Sequence, residues 1–334
     1  MTARSGAIAL AAYQPDEQLF ARQLRSLQAQ TVEDWSCVIS ADGGREEVEA
    51  AVRRAVGRDD RFTVCGYDDR VGFYRNFERA LREVEPSVAW VALSDQDDFW
   101  YPRKLERLIP FLEDHTIVSG QARVAEDGSG RTIAESTDRV AAELLDLTTL
   151  NRFSGAMSVF RREVLDLALP FPVMATPVEV HDHWIAVCAA VLGPTAIVDD
   201  VLQDYVQHAG NVLGEAGAPG RFRASSAWRT LAASSQRYQG SRSLRALVRT
   251  VYDMGYGWRA LISTTLEARR QPGDAAVAQL SRIYGSHAKW GAAFAHFAAA
   301  SGGASNTVML DAGRLMNGMQ RRRSLTARAE PGPR

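Results

Sequence analysis

Residues 91–108 read VALSDQDDFWYPRKLERL: an apolar run, three carboxylates within four positions, an aromatic pair, then an amphipathic stretch. Asp95, Asp97 and Asp98 repel one another at the end of a buried strand, and each is pushed toward its neutral form unless positive charge stands beside it. A hard divalent cation with oxygen ligands meets that need, and it could also bind a diphosphate. The plainer reading makes the acids caps and dipole partners of the next helix, at about 0.3–1 kcal/mol each. Capping accounts for one aspartate and leaves two.

Outward from this stretch, the chain alternates short apolar runs with amphipathic segments. The run SVAWVALS (87–94) is almost unbroken and reads as a central strand buried on both faces. AIALAA (7–12), SCVIS (36–40), RFTVCG (61–66), TIVSGQARVA (116–125) and TAIVDDVLQDYVQH (195–208) read as further strands. Between them, Pro15 and Asp16 open a helix with Leu19, Phe20, Leu24 and Leu27 at spacings of three and four. ADGG (41–44) is a tight turn into a polar helix, and GFYRNFERALREV (72–84) is the next. YPRKLERLIPFL (101–112) begins a helix with Pro102 in its first turn, and HDHWIAVCAAVLG (181–193) is a buried helix closed by glycine. This order predicts an α/β fold with a mostly parallel sheet flanked by helices, whose ligands gather beyond the carboxyl ends of the strands. The acidic cluster lies in that zone.

From about Phe222 the strand signals stop and Ala- and Arg-rich helices take over, after a linker at 210–220. The expected organisation is a catalytic domain over 1–214, a helical region over 215–320 and a disordered basic tail over 321–334. The net charge of −1 hides an asymmetry: residues 215–334 hold 18 Lys and Arg against 6 Asp and Glu, a balance of +12 that leaves −13 on residues 1–214. Cys37, Cys65 and Cys188 are odd in number and set among apolar neighbours, which suits reduced core thiols. No secretory signal and no apolar run of spanning length occurs, so the cytoplasm is the expected compartment.

Two further stretches carry chemistry. HDHW places Asp182 between His181 and His183 at a helix start, where it reads equally as an N-cap. Metal ligation by both histidines is disfavoured, because residues two apart on a helix point in different directions. YVQHAGN ends a strand with His208, a surface imidazole or a ligand. No GxxxxGK[ST] is present and no GxGxxG follows the first strand, so a bound nucleotide would be held without either glycine-rich signature.

Taken in order, ALAAYQPDEQLFARQLRSLQAQT, WSCVISADGG, VGFYRNFERAL, VALSDQDDFWYPRKLERL, NRFSGAMSVFRREVLDLALPFP, HDHWIAVCAAVLG and DYVQHAGNVLG resemble the family 2 glycosyltransferases of GT-A fold, in particular the bacterial rhamnosyltransferase-like branch. The resemblance covers roughly residues 7–214. It implies a nucleoside-diphosphate-sugar donor and inversion at the anomeric carbon. It makes Asp95 and Asp97 the acid pair that meets the donor and Mn²⁺ or Mg²⁺, with Gln96 between them; it puts Ala12, Tyr13 and Asp42 around the base, and Arg70 where it could reach a phosphate or the base. This chain has Ala41 before Asp42 where two acids are common, and Arg70 where Asn is usual. Asp182 stands in the place of the catalytic base, with His181, His183, Trp184 and Gly155 on the acceptor side. His208 matches a histidine that completes the metal shell, and an imidazole ligand leans the site toward Mn²⁺.

The resemblance fades after residue 214, and there the reading rests on composition. The helices carry apolar positions at Leu231, Leu244, Leu247, Val248, Val251, Tyr252 and Trp258 for packing on the catalytic domain or for a homodimer. Their positive charge also suits anionic lipid head groups or a lipid-linked acceptor, at about 1 kcal/mol per basic residue near such a membrane. Nucleic acid is disfavoured, since no zinc finger, helix-turn-helix signature or aromatic platform occurs. The resemblance implies a saccharide or lipid-linked acceptor. Two rival functions remain at this stage: a nucleotidyltransferase on a related fold, and a non-catalytic nucleotide- or sugar-binding module.

Overall fold

A computed structural model describes residues 5–175, 178–207, 224–285 and 288–301. Its strands are β1 (Gly6–Ala12), β2 (Trp35–Asp42), β3 (Phe62–Tyr67), β4 (Trp90–Ser94), β5 (Phe99–Trp100), β6 (Ile117–Glu126), β7 (Thr132–Ala134), β8 (Ser158–Arg161) and β9 (Thr195–Gln207). They form one sheet in the order β3-β2-β1-β4-β8-β6-β9-β5, with β7 paired to β6. The strands β3, β2, β1 and β4 are mutually parallel. Beyond them β8 runs antiparallel to both β4 and β6, while β6 and β9 are parallel.

The unbroken apolar runs of β1 and β4 follow from burial on both faces. Ile8 and Leu10 pack with Phe20, Leu24 and Leu27 of the helix Glu17–Gln28 and with Val48 and Val52 of the helix Arg45–Val56. The intervening Ala7 and Ala9 are equally buried. The helix Glu17–Gln28 starts where the sequence indicates: Asp16 Oδ1 accepts from Gln18 N–H at 2.9 Å and Leu19 N–H at 3.0 Å, a cap worth about 1 kcal/mol. Cys37 and Cys188 are buried free thiols, and Cys65 is a half-buried one.

The segment 101–112 departs from its expected single helix. A short α-helix, Lys104–Leu108, passes into a 3-10 turn, Ile109–Glu113. Pro110 is the physical cause, since it has no N–H to donate to Glu106 and its ring crowds that carbonyl.

One glycine is fixed by its surroundings. Gly66, at the end of β3, has φ +108°, and a Cβ there would stand 2.3 Å from the Ala41 carbonyl oxygen on β2. Gly66→Ala is therefore expected to lower the unfolding free energy by about 2 kcal/mol or more. Chemical denaturation measures it, and a loss below about 0.5 kcal/mol would contradict this packing.

The chain divides into two units. The first comprises 1–142, 151–171 and 180–218 and holds the sheet; the second comprises 143–150, 172–179 and 219–334. Residues 143–150 and 172–179 thus pack with the helical unit although they fall within the span of the expected N-terminal domain. In the second unit Tyr256, Tyr284, Ala293 and Phe294 form a core on which Val248, Val251 and Tyr252 pack. Arg259 is buried there, donating to the Thr149 carbonyl at 2.7 Å, with its guanidinium 4.7 Å from the Phe297 ring centre. Trp258 is buried as expected of an apolar position, whereas Leu244 is 75% exposed: it is the first residue of its helix and lies off the packed face. No helix among the described residues is long and apolar enough to cross a membrane.

Candidate active site

The sheet order places a topological switch point between β1 and β4, because the chain builds β2 and β3 outward on one side of β1 and then returns to lay β4 on the other. In open α/β sheets a ligand crevice lies beyond the carboxyl ends of the strands at such a point. Across it, Tyr13 N–H donates to Gln96 Oε1 at 2.8 Å and Gln96 Nε2 donates to the Tyr13 carbonyl at 3.2 Å. This reciprocal amide pair fixes the loop after β1 to the loop that carries the acids. The helix Glu17–Gln28 braces the same loop from beneath: Gln23 Nε2 donates to Ser94 Oγ at 2.8 Å, and Arg22 Nη2 donates to the Asp97 carbonyl at 3.2 Å.

Arg70 stands with its guanidinium 4.1 Å from the Tyr13 ring centre, so the two form one flat, cationic surface at the mouth of the parallel strands. Asp42 is only 2% exposed, and its oxygens accept from the Val71 N–H at 2.6 Å and the Gly72 N–H at 2.9 Å. In this structure it therefore shapes the loop bearing Arg70, and its carboxylate points into the loop backbone. Ala12 contributes its carbonyl, which accepts from Asn76 Nδ2 at 3.3 Å. Asn76 also donates to the Ser40 carbonyl at 2.8 Å, and Arg79 donates to Ser40 Oγ at 2.8 Å and to the Ala41 carbonyl at 2.7 Å. This buried polar network anchors the carboxyl ends of β1 and β2. Sequence reasoning missed it, although Asn76 and Arg79 lie three apart on one helix face, which is the available signal.

The three acids separate into two kinds. Asp98 is fully buried, and its Oδ2 accepts from Gln203 Nε2 at 3.2 Å. Burial, then the charges of Asp95 and Asp97, drive its carboxyl well above the usual range, while Lys104 opposes them. Asp95 and Asp97 are half-buried at the crevice. Burial pushes Asp95 up to about 7, with Asp97 and Asp182 adding to the effect and Lys104 reducing it. Part of the positive charge that this cluster demands is thus internal. Lys104 is wholly buried; its ammonium donates to the Ala156 carbonyl and, at 2.5 Å, to Gln203 Oε1, and it lies 3.6 Å from the Trp100 ring centre. Burial pulls its pKa well down. Nothing in RKLERL distinguishes this lysine from a solvated one.

Asp182 sits in the first turn of the helix His181–Leu192, whose N-cap is Val180, so the capping reading does not hold. Its carboxylate accepts from Asn151 Nδ2 at 3.0 Å, from the Gly155 N–H at 3.1 Å and from the His183 N–H at 2.6 Å. The charge of Asp182 is among those felt by Asp95, which brings this acid and the strand-end pair into one electrostatic site. Asn151 is a site residue that sequence reasoning missed.

The expected acceptor-side residues need correction. Trp184 is completely buried and its indole N–H donates to the Ala168 carbonyl at 2.9 Å, so it packs the helix against the core. His183 is also buried. His181 stacks on Phe77 with ring centres 3.9 Å apart, and burial lowers its pKa, which keeps the ring neutral near pH 7. Gly155 leaves room for its protein neighbours: a Cβ there would stand 2.9 Å from His181 Nε2 and 3.4 Å from Asp182 Cβ. His208 lies outside the described residues. Among the described residues, no group of three or more His, Cys, Asp or Glu is arranged to hold a metal ion. Asp95 and Asp97 offer two hard oxygen ligands at the crevice, with Lys104 committed inward, and this donor chemistry fits a divalent cation such as Mn²⁺ or Mg²⁺.

An open α/β sheet whose acids collect at the switch point, followed by the antiparallel β8, is a GT-A fold. Residues 8–167 match the family model described as Glycosyl transferase family 2. An uncharacterised glycosyltransferase of Nostoc sp. is 26% identical over 266 residues, covering 75% of this chain and 76% of that protein. Among solved structures, residues 1–349 of TarS from S. aureus in complex with UDP-GlcNAc superimpose with a TM-score of 0.50 at 13% identity, covering 95% of this chain and 92% of that one. The mannosyltransferase PcManGT from Pyrobaculum calidifontis, in complex with GDP-Man and Mn²⁺, gives a TM-score of 0.50 at 18% identity, with 94% and 87% covered. At these identities the two structures establish the shared fold.

Proposed function

We propose that this chain is an inverting glycosyltransferase that moves a sugar from a nucleoside diphosphate to a hydroxyl of a saccharide or lipid-linked acceptor. The observation that carries the reading is the placement of Asp182: Asn151 and the Gly155 N–H hold its carboxylate, and Gly155 lies between Asp182 and Leu93 of β4, the strand that leads into Asp95 and Asp97. Tyr13 and Arg70 offer the base a face and a cation, and the Gln96 clasp keeps that surface fixed relative to the acids. Asp95 and Asp97 would hold Mn²⁺ or Mg²⁺, with His208 as a further ligand, and the ion when bound offsets charge on the leaving diphosphate. Asp182 takes the proton from the acceptor hydroxyl as the oxygen attacks the anomeric carbon from the face opposite the diphosphate, which inverts the linkage.

The resemblance of the DQDDFW stretch and the blocks around it to the rhamnosyltransferase-like branch supports a deoxyhexose such as rhamnose as the transferred sugar. The basic balance of residues 215–334 favours a place at the inner face of the cell membrane, where an anionic surface and a lipid-linked acceptor meet it. Apolar positions on the same helices leave a homodimer as their second use.

A thermal-shift panel tests the reading: nucleoside diphosphates with and without Mn²⁺, then the matching donor sugars in a turnover assay. One nucleoside diphosphate is expected to raise the melting temperature only when Mn²⁺ is present, and its sugar to be turned over. Binding without turnover across all donors and acceptors would favour a binding module instead.

A further inference from the structure

We propose that Lys104 is a positioning residue: it ties the strand-end acids to the Gly155–Ala156 turn that holds Asp182, and so keeps the donor side and the acceptor side of the site in register. The inference rests on the reading of the site given above for its catalytic arm alone. Each contact of the ammonium group falls on a different element. One N–H goes to the Ala156 carbonyl, in the turn Gly155–Met157. Another goes to Gln203 Oε1 on β9 at 2.5 Å, and the face of Trp100 on β5 lies 3.6 Å away. Gln203 in turn donates to Asp98, the third acid of the cluster, at 3.2 Å. From Ala156 the connection runs through one residue to the Gly155 N–H, which donates to Asp182 at 3.1 Å. One side chain therefore connects, through Gln203 and the turn backbone, the enclosed acid Asp98 to the turn that holds Asp182.

Stability alone is a weak reason for such a group. Withdrawing an ammonium from water is costly, and well-packed apolar replacements of buried ionic groups are often neutral or stabilising. What an apolar side chain cannot supply is the directional pair of hydrogen bonds that sets the turn against β9. A displacement of about 1 Å at a reacting group lowers rates by up to about 10²-fold, so the looseness should be visible in turnover before it is visible in folding.

The test compares the full-length wild type with Lys104→Met, and with Gln203→Met, which removes the side-chain acceptor and leaves the lysine. Amide hydrogen exchange on the ligand-free protein reads the turn directly. In Lys104→Met, exchange at Gly155 and its neighbours is expected to quicken about tenfold or more while β1 and β2 keep their protection. Transfer turnover is expected to fall about 10–100-fold with the donor KM within about threefold of wild type. Gln203→Met is expected to shift both in the same direction by less. Wild-type exchange or wild-type kcat in a folded Lys104→Met overturns the proposal, and so does failure of both variants to fold, which would make Lys104 a stability element. A wild type that turns over no donor removes the catalytic reading, and the exchange measurement alone then decides the tether.

Discussion

Asp182→Asn is expected to lower the transfer rate constant by about 10²–10⁴-fold while leaving nucleoside diphosphate affinity within about threefold of wild type. The substitution keeps size and shape and removes the ability to accept the proton from the acceptor. It also reverses one contact. The carboxylate accepts from Asn151 Nδ2 and from the Gly155 N–H through its two oxygens, so an amide must turn its own NH₂ toward one of these donors. That local mismatch stays inside the turn and does not reach the Tyr13–Gln96 clasp on the donor side. Steady-state kinetics with saturating donor, together with calorimetric binding of the nucleotide, separates the two effects. Unchanged turnover in Asp182→Asn would remove this residue from the role of base.

Asp97→Ala is expected to reduce kcat/KM by about 10³-fold, equivalent to several kcal/mol of lost charge stabilisation at the leaving diphosphate. The loss should appear in donor affinity and in turnover together, because the group removed acts on the donor in both the ground state and the transition state. The fold should survive. Asp97 is half-buried at the crevice, whereas Asp98 is the acid enclosed with Lys104 and Gln203. A titration of activity against Mn²⁺ checks the assignment: Asp97→Ala should show no recovery at any concentration that supports the wild type. Full activity in this variant would contradict the role given to the acid pair.

Much of the sheet was legible because β1, β2 and β4 are apolar runs sandwiched between helices, and such runs carry their own signature. The two residues of β5 and the three of β7 were not, since segments this short have no periodicity and owe their pairing to β9 and β6. The zone of the site was legible for a topological reason: Tyr13, Arg70 and Asp95 all follow the carboxyl ends of parallel strands. Its internal chemistry was less so. Lys104 sits in an amphipathic segment where a lysine is ordinarily solvated, and only the approach of Ala156 and Gln203, 52 and 99 residues away in sequence, makes it a buried cation. HDHW reads as a polar cluster, yet three of its four side chains are buried because Phe77, Ala168 and Gly155 close over them. The partition of three acids within four positions into one enclosed and two at the crevice is likewise a tertiary outcome.

Lys104 lies with Asp98 on the enclosed side of the acid cluster, and the proposed function has Asp95 and Asp97 meet a divalent cation and a diphosphate on the crevice side. Crystals grown with Mn²⁺ and the nucleoside diphosphate selected by thermal shift, measured at the manganese absorption edge, address this directly. The account predicts an anomalous peak bonded to Asp97, with the diphosphate beside it at the switch point between β1 and β4. Nucleotide bound at that place with no manganese near Asp95 or Asp97, or manganese bound elsewhere, would contradict it.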